Sequence, residues 1–341
     1  MTSTLLKMSH ISKSYPGVNA VDDVSIDLYA GEVLGLMGEN GAGKSTLIKM
    51  LAGAEKIDSG EIYIDEKKVD INSPKTSQEN GVSVIHQELI TMDTLSVAEN
   101  IFVGQLPVNK VTKLIDWKTA QKKSTEALAL LNSEINPKSI VASLSIYEKQ
   151  IVEIAKAIHK NAKVVVMDEP TAALSEKDSK ALFAVIKSLK KQGVGIIYIS
   201  HRIEEVFQIS DRITVMRDGE FIGTKLTKGT EQKEIISMMI GRELNQFFPE
   251  IKSEKKGVMM KVSDLNINGI IENISFEVKK GEILGLFGLV GSGCLNIARA
   301  LIGVEDIDQG EIHINDKKTS IKNPKNALKN SIGFIPIDRK N

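Results

Sequence analysis

A single cysteine, Cys294, occurs in the chain. No internal disulfide is therefore available, which fits a reducing cytoplasm. Net charge is also missing: Lys plus Arg and Asp plus Glu are each 44. That balance gives no bulk attraction to nucleic acid or anionic lipid, although it permits a local basic patch. Residues 1–14 lack the apolar core of a signal peptide. No apolar run reaches the roughly 18–20 residues needed to cross a bilayer. A membrane role would therefore be played from the surface. What remains is a chain of 341 residues, 42% hydrophobic and 26% charged. Such a chain is globular and long enough for about two domains.

An internal repeat organises it. Residues 21–87 are echoed 250 residues later, at 271–337, without a gap. Gly31, Glu32 and Gly35 match Gly281, Glu282 and Gly285. Gly38, Gly41 and Gly43 match Gly288, Gly291 and Gly293, and Pro74 matches Pro324. Turn residues kept in register over that distance predict two copies of one fold. The expected division is a first domain at 5–242, a linker at 243–257 and a second domain at 258–341. The second copy reads as the opening third of a domain, truncated at Asn341.

The first copy reads as α/β. Apolar runs at 33–37, 164–167 and 196–200 are too short for helices and predict strands. Residues 43–51 and 177–191 predict helices. Residues 213–217, then Asp218-Gly219, then Phe221 predict a hairpin. A more helical insert spans roughly residues 94–158. Alternating strands and helices imply a mainly parallel sheet.

Gly38-Glu39-Asn40-Gly41-Ala42-Gly43-Lys44-Ser45 fits GxxxxGK[ST] between a predicted strand and a predicted helix. Glycines let the backbone curl so that N–H groups face a phosphate, and a helix N-terminus adds partial positive charge. Lys44 is assigned to the β- and γ-phosphates, Ser45 to Mg²⁺ and Thr46 to the α-phosphate. The strand at 164–167 ends in Asp168-Glu169. Asp168 suits the metal shell, and Glu169 suits polarisation of an attacking water. His201, at another strand end, is placed to reach a γ-phosphate, or is an ordinary surface histidine. Tyr15, in Lys13-Ser-Tyr-Pro-Gly, offers a face for stacking on adenine, or is a turn tyrosine. Trp117 reads as a packing residue near a helix start.

In this order the elements resemble the ABC ATPase family. Leu144-Ser145-Ile146-Tyr147-Glu148-Lys149-Gln150, followed by an amphipathic helix, is similar to the family signature LSGGQ. The resemblance covers nearly all of the first copy. It implies a P-loop NTPase fold: an ABC-type nucleotide-binding domain with a helical subdomain, repeated in tandem with an incomplete second copy. It also implies ATP and Mg²⁺ as ligands, with Gln87 touching the metal or the water. Tandem cassettes and the stretches at 199–207, 240–249 and 288–293 resemble the ATPase subunits of bacterial monosaccharide importers, nearest to the galactose/methylgalactoside and ribose group. That group implies membrane permease subunits as partners, an extracytoplasmic sugar-binding protein as an indirect one, and a place on the cytoplasmic face of the plasma membrane. A ribosome-acting tandem cassette is a rival reading, as is an inactive fragment. The first usually carries a long charged helical linker and two intact signatures.

Departures from the family pattern carry expectations of their own. Tyr147 occupies a signature glycine position, so its side chain is expected to obstruct close approach of a facing cassette. In the second copy Cys294 replaces Lys44, Leu295 replaces Ser45 and Ile337 replaces Gln87. Its loop is expected to bind nucleotide weakly. With one signature altered and the other not in the sequence, the chain alone is expected to bind MgATP and to hydrolyse it slowly or not at all. Steady-state ATPase measurement tests that expectation.

Overall fold

The computed structural model describes residues 4–87, 89–241, 256–267, 269–289 and 291–336. Two compact units are present, Met1–Phe247 and Phe248–Asn341. The expected linker lies outside the described residues except for its last two, which open a strand, and Ile337 also lies outside them.

In the first unit ten strands form one sheet. They are β1 (Thr4–Tyr15), β2 (Val18–Tyr29), β3 (Val33–Met37), β4 (Ser59–Ile64), β5 (Lys67–Val69), β6 (Val82–Ile85), β7 (Val164–Asp168), β8 (Gly195–Ile199), β9 (Arg212–Arg217) and β10 (Glu220–Leu226). Their order is β5-β4-β1-β2-β10-β9-β3-β8-β7-β6. Strands β9, β3, β8, β7 and β6 run parallel. Strands β1, β2, β4 and β5 pair antiparallel, and so do β9 and β10. The sheet is thus mixed, which corrects the expectation of a mainly parallel one. Strands β1 and β2 are joined antiparallel through a two-residue turn, Tyr15 facing Val18, and β4 adds antiparallel to β1, so no crossover helix need separate them.

The central strands are apolar throughout because both their faces are covered. Alternate residues feed two separate cores. Val33, Met37, Val165, Met167, Ile196 and Tyr198 enter one. Leu34, Leu36, Val164, Val166, Ile197 and Ile199 enter the other. This is the period-two geometry of a strand applied to a sheet with no solvent face.

Among the described residues eight helices surround the sheet: α1 (Lys44–Leu51), α2 (Pro74–Glu79), α3 (Val97–Ile101), α4 (Trp117–Leu130), α5 (Ile146–His159), α6 (Glu176–Lys191), α7 (Ile203–Ile209) and α8 (Gln232–Ile240). The expected helical insert is α3 to α5. Capping boxes start two of these helices, Ser96 with Glu99 and Ser145 with Glu148, each satisfying otherwise orphan N–H groups. Trp117 does open α4, yet it is 42% exposed, so the expected packing role is only partial. Among the described residues no helix is long and apolar enough to cross a membrane.

Gly35 shows how closely α7 lies on the sheet. A Cβ there would come within 2.5 Å of Val206 Cγ1 and 2.8 Å of Ser210 Oγ. Val206 is fully buried and stiff at χ1, so it has little room to yield. Gly35→Ala is expected to destabilise the first unit by about 1–3 kcal/mol. A thermal midpoint equal to that of the parent chain would contradict this.

The second unit has a four-stranded sheet, ordered β12-β11-β13-β14. Its strands are β11 (Lys256–Ile267), β12 (Ile271–Lys280), β13 (Gln309–Ile314) and β14 (Lys317–Lys318), with helices α9 (Cys294–Leu301) and α10 (Pro324–Lys329). The repeat reappears in the pairing: Lys7 faces Tyr63 in the first unit, and Lys261 faces His313 in the second. Residues 283–287, the counterpart of β3, form no strand, and Phe287 is 98% exposed. In the first unit β3 is held by β8 and β9. No described residue of the second unit supplies their equivalents.

Candidate nucleotide site

Four parallel strands deliver the site at their C-terminal ends. The phosphate loop leaves β3, Gln87 follows β6, Asp168 ends β7 with Glu169 directly after it, and His201 follows β8. Residues from 38 to 201 meet because parallel pairing brings equivalent strand ends to one edge of the sheet, the usual ligand edge of such sheets.

The loop needs its last glycine. Gly43 has φ 91°, and a Cβ there would lie 2.3 Å from Ala20 O. Helix α1 then starts at Lys44 with no side-chain cap, so its first N–H groups are left for a ligand. Lys44 Nζ donates to Gly38 O at 2.8 Å and to Glu39 O at 2.9 Å. The ammonium is thereby laid over the loop. Burial pulls Lys44 below the ordinary lysine range, while Asp168 and Glu169 oppose that shift. Ser45 and Asp168 line one cavity, together with His86. Burial pushes the Asp168 carboxyl up and Glu169 adds to this, while His86 and Lys44 oppose it.

Glu169 is bracketed. Its Oε2 accepts from Gln87 Nε2 at 2.9 Å, and its Oε1 lies 3.1 Å from His201 Nδ1. Its backbone has φ 47°, a left-handed conformation that costs a non-glycine residue roughly 1–3 kcal/mol. The Glu169 N–H donates to Ile199 O at 2.9 Å, which stitches this strained residue to the end of β8. Three side chains predicted from separate strand ends, Gln87, Glu169 and His201, are therefore in direct contact. Tyr15 is exposed at the end of β1, with Lys13 Nζ 5.6 Å from its ring centroid. The neighbouring β2 is held against the phosphate loop where Ala20 meets Gly43.

The signature segment departs from its sequence reading. Ser145 caps α5: its Oγ accepts from the Glu148 N–H at 3.3 Å. Leu144 and Tyr147 pack against the larger core cluster. The Tyr147 side chain is half-buried, and the exposed residues at the head of the helix are Ser145 and Ile146. Gln150 is only 4% exposed, so it belongs to the buried face of α5 rather than to the exposed turn. Helix periodicity explains both positions, since residues 147, 150, 151 and 154 fall on one face.

In the second unit the loop keeps its glycine geometry, with φ 87° at Gly291 and 86° at Gly293. Cys294 stands at the lysine position, its Sγ 3.4 Å from Ser292 Oγ. A thiol supplies no positive charge for a phosphate. Sequence reading missed three residues around the first site: His86 beside Asp168, and Thr171 and Glu205, which hydrogen-bond to each other just downstream of Glu169 and His201 in the sequence. His86 adjoins Gln87 at a strand end, which was an available signal. Burial of Thr171 and Glu205 had none.

The comparisons agree with this geometry. The ABC transporter family model matches residues 21–172 and 271–340. The ribose import ATP-binding protein RbsA of Clostridium tetani is 45% identical over 98% of this chain and 66% of its own length. The galactose/methyl galactoside import ATP-binding protein MglA 1 of Photobacterium profundum is 43% identical over 100% of this chain and 68% of its own length. The chain thus spans about two thirds of the length of these curated relatives. Among solved structures, the ADP conformation of MJ1267, an ATP-binding cassette of an ABC transporter, superposes with a TM-score of 0.62 at 26% identity, covering 71% of this chain and 100% of that one. With the family model matching both copies, and the phosphate loop, the paired acids and the histidine gathered at one sheet edge, the chain belongs to the ABC transporter family.

Proposed function

We propose that the chain is the ATP-binding subunit of a sugar importer, coupling MgATP binding and hydrolysis to uptake of a monosaccharide such as ribose or galactose. The observation that carries this is the contact of Gln87 and His201 with Glu169 beside the Lys44 loop. Residues 5–242 would act as the working cassette. Residues 258–341, lacking the loop lysine, would act as a weak or regulatory nucleotide site.

The donor set suits a hard divalent cation. Ser45 Oγ and the Asp168 carboxylate share one cavity, and Gln87 has an amide oxygen to offer. Bound Mg²⁺ would supply charge neutralisation at the phosphates. The chain's own residues do the rest. Loop N–H groups and Lys44 hold the β- and γ-phosphates, and Thr46 supports the α-phosphate. Ala42, Asn40 and Glu39 complete the loop, and Tyr15 stacks on the base. Glu169 accepts a proton from the attacking water as that water adds to the γ-phosphorus and the β–γ bridge breaks. His201, oriented through Nδ1, presents its other ring nitrogen to the γ-phosphate. Ser145, exposed at the head of α5, would face a second cassette, with Leu144, Tyr147 and Gln150 packed beneath it to hold the helix in place.

The permease would dock beside this site from the membrane, with the chain on the cytoplasmic face. Ile90 and Met92, just after Gln87, are exposed, and Ile90 lines the cavity shared with Ser45 and Asp168. A permease element seated there would sense the γ-phosphate through Gln87. The sugar-binding protein would act only through the permease. Co-expression with the integral-membrane permease tests the assignment. Stoichiometric co-purification is expected, and persistent recovery on ribosomes instead would overturn it.

A further inference from the structure

We infer that Glu205 is a positioning residue that clamps the Glu169 and His201 loops at their working separation. This rests on the hydrolytic reading of those two residues and adds to it the group that sets their geometry. Glu205 lies in the first turn of α7 and is only 9% exposed. Its Oε2 accepts from three hydroxyls: Thr171 at 2.6 Å, Tyr198 at 3.0 Å and Ser200 at 3.2 Å. Its Oε1 accepts from the Arg202 guanidinium at 3.0 Å. Ser200 Oγ in turn accepts from the Arg202 N–H at 3.0 Å. Thr171 lies two residues past Glu169, and Ser200 and Arg202 flank His201.

One carboxylate therefore joins the segment after β7 to the segment after β8. Burying a carboxylate is costly unless every lone pair is used, and replacement by apolar packing is often neutral or stabilising. Anchorage of α7 does not call for it, since Val206 and Ile209 are buried on the same helix. Fully bonded, it has the property that apolar packing lacks: directional bonds that hold two loops in one arrangement. Burial pushes the Tyr198 phenol up, so that hydroxyl stays a donor. Small misplacements of reacting groups are enough to matter, since about 1 Å can cost on the order of 100-fold in rate.

The test uses the full chain with Glu205→Gln, Thr171→Val and Thr171→Ser. Long-range ¹H–¹⁵N spectra without nucleotide report the His201 tautomer, which the 3.1 Å approach of Nδ1 to Glu169 Oε1 is expected to bias toward the proton on Nδ1. Calorimetry reports MgATP affinity, and single-turnover assays report cleavage. Glu205→Gln is expected to leave affinity within about twofold, to convert His201 to a tautomer mixture, and to slow cleavage about 10- to 100-fold. Thr171→Val should shift the tautomer likewise, and Thr171→Ser should restore it. An unchanged His201 spectrum in both Glu205→Gln and Thr171→Val overturns the clamp. Should Glu205→Gln fail to fold, the Thr171 pair decides. Absence of MgATP binding in the parent chain would instead sink the site assignment, while the nucleotide-free spectra still judge the clamp.

Discussion

Lys44→Ala is expected to weaken MgATP binding by on the order of 100-fold, from the loss of about 2–3 kcal/mol of charge-assisted hydrogen bonding. The lysine makes its two hydrogen bonds to carbonyls of its own loop, so its removal breaks no contact with a distant element. It is half-buried, and its charge faces Asp168 and Glu169. Alanine would leave those two acids without their cation at the place where a triphosphate must enter. Both changes act against anion binding, and neither touches the two hydrophobic cores. Titration calorimetry on the parent and variant chains measures the difference, with the thermal midpoint as a control. Unaltered affinity would remove the basis for assigning the loop to phosphate.

Glu169→Gln is expected to act on the other half of the reaction. Glutamine keeps the size and one acceptor oxygen, but it is not a base at neutral pH. MgATP should bind with near-parental affinity, while single-turnover cleavage slows by roughly 10²- to 10⁴-fold, the usual range for loss of a positioned general base. Gln87 and His201 both touch this carboxylate, so the variant also tests whether the contact is between working parts. Parental cleavage rates in the variant would move the base elsewhere, with Asp168 the nearest other carboxylate on the same strand.

Much of this is legible in the amino-acid sequence. The loop motif needed only its glycine spacing and the Lys44-Ser45 pair, because the conformation it encodes is local. Its structural counterpart is φ 91° at Gly43. The strands at Val33, Val164 and Ile196 were readable because a strand covered on both faces is apolar throughout, and the structure divides their alternate residues between two cores. The acids at 168 and 169 and the histidine at 201 were found because each follows such a run. The repeat was readable because turn glycines sit at fixed offsets, and the pairing of Lys7 and Lys261 with their partner strands repeats it.

What the chain encodes locally is thus a phosphate loop, its strands and two copies of a fold. Tertiary structure alone decided that Gln87 and His201 close on Glu169, since their contact depends on the order in which β6, β7 and β8 align. It also decided that Gln150 turns inward and Tyr147 is half-buried, because the face a helical side chain presents is set by where its helix docks. The buried bonds of Glu205 belong to the same class. A glutamate in a short amphipathic helix reads as solvated, and only the closure of β7 and β8 over α7 surrounds it with four donors. Spacing along the chain records local geometry, whereas the choice of partner across the sheet is made by packing.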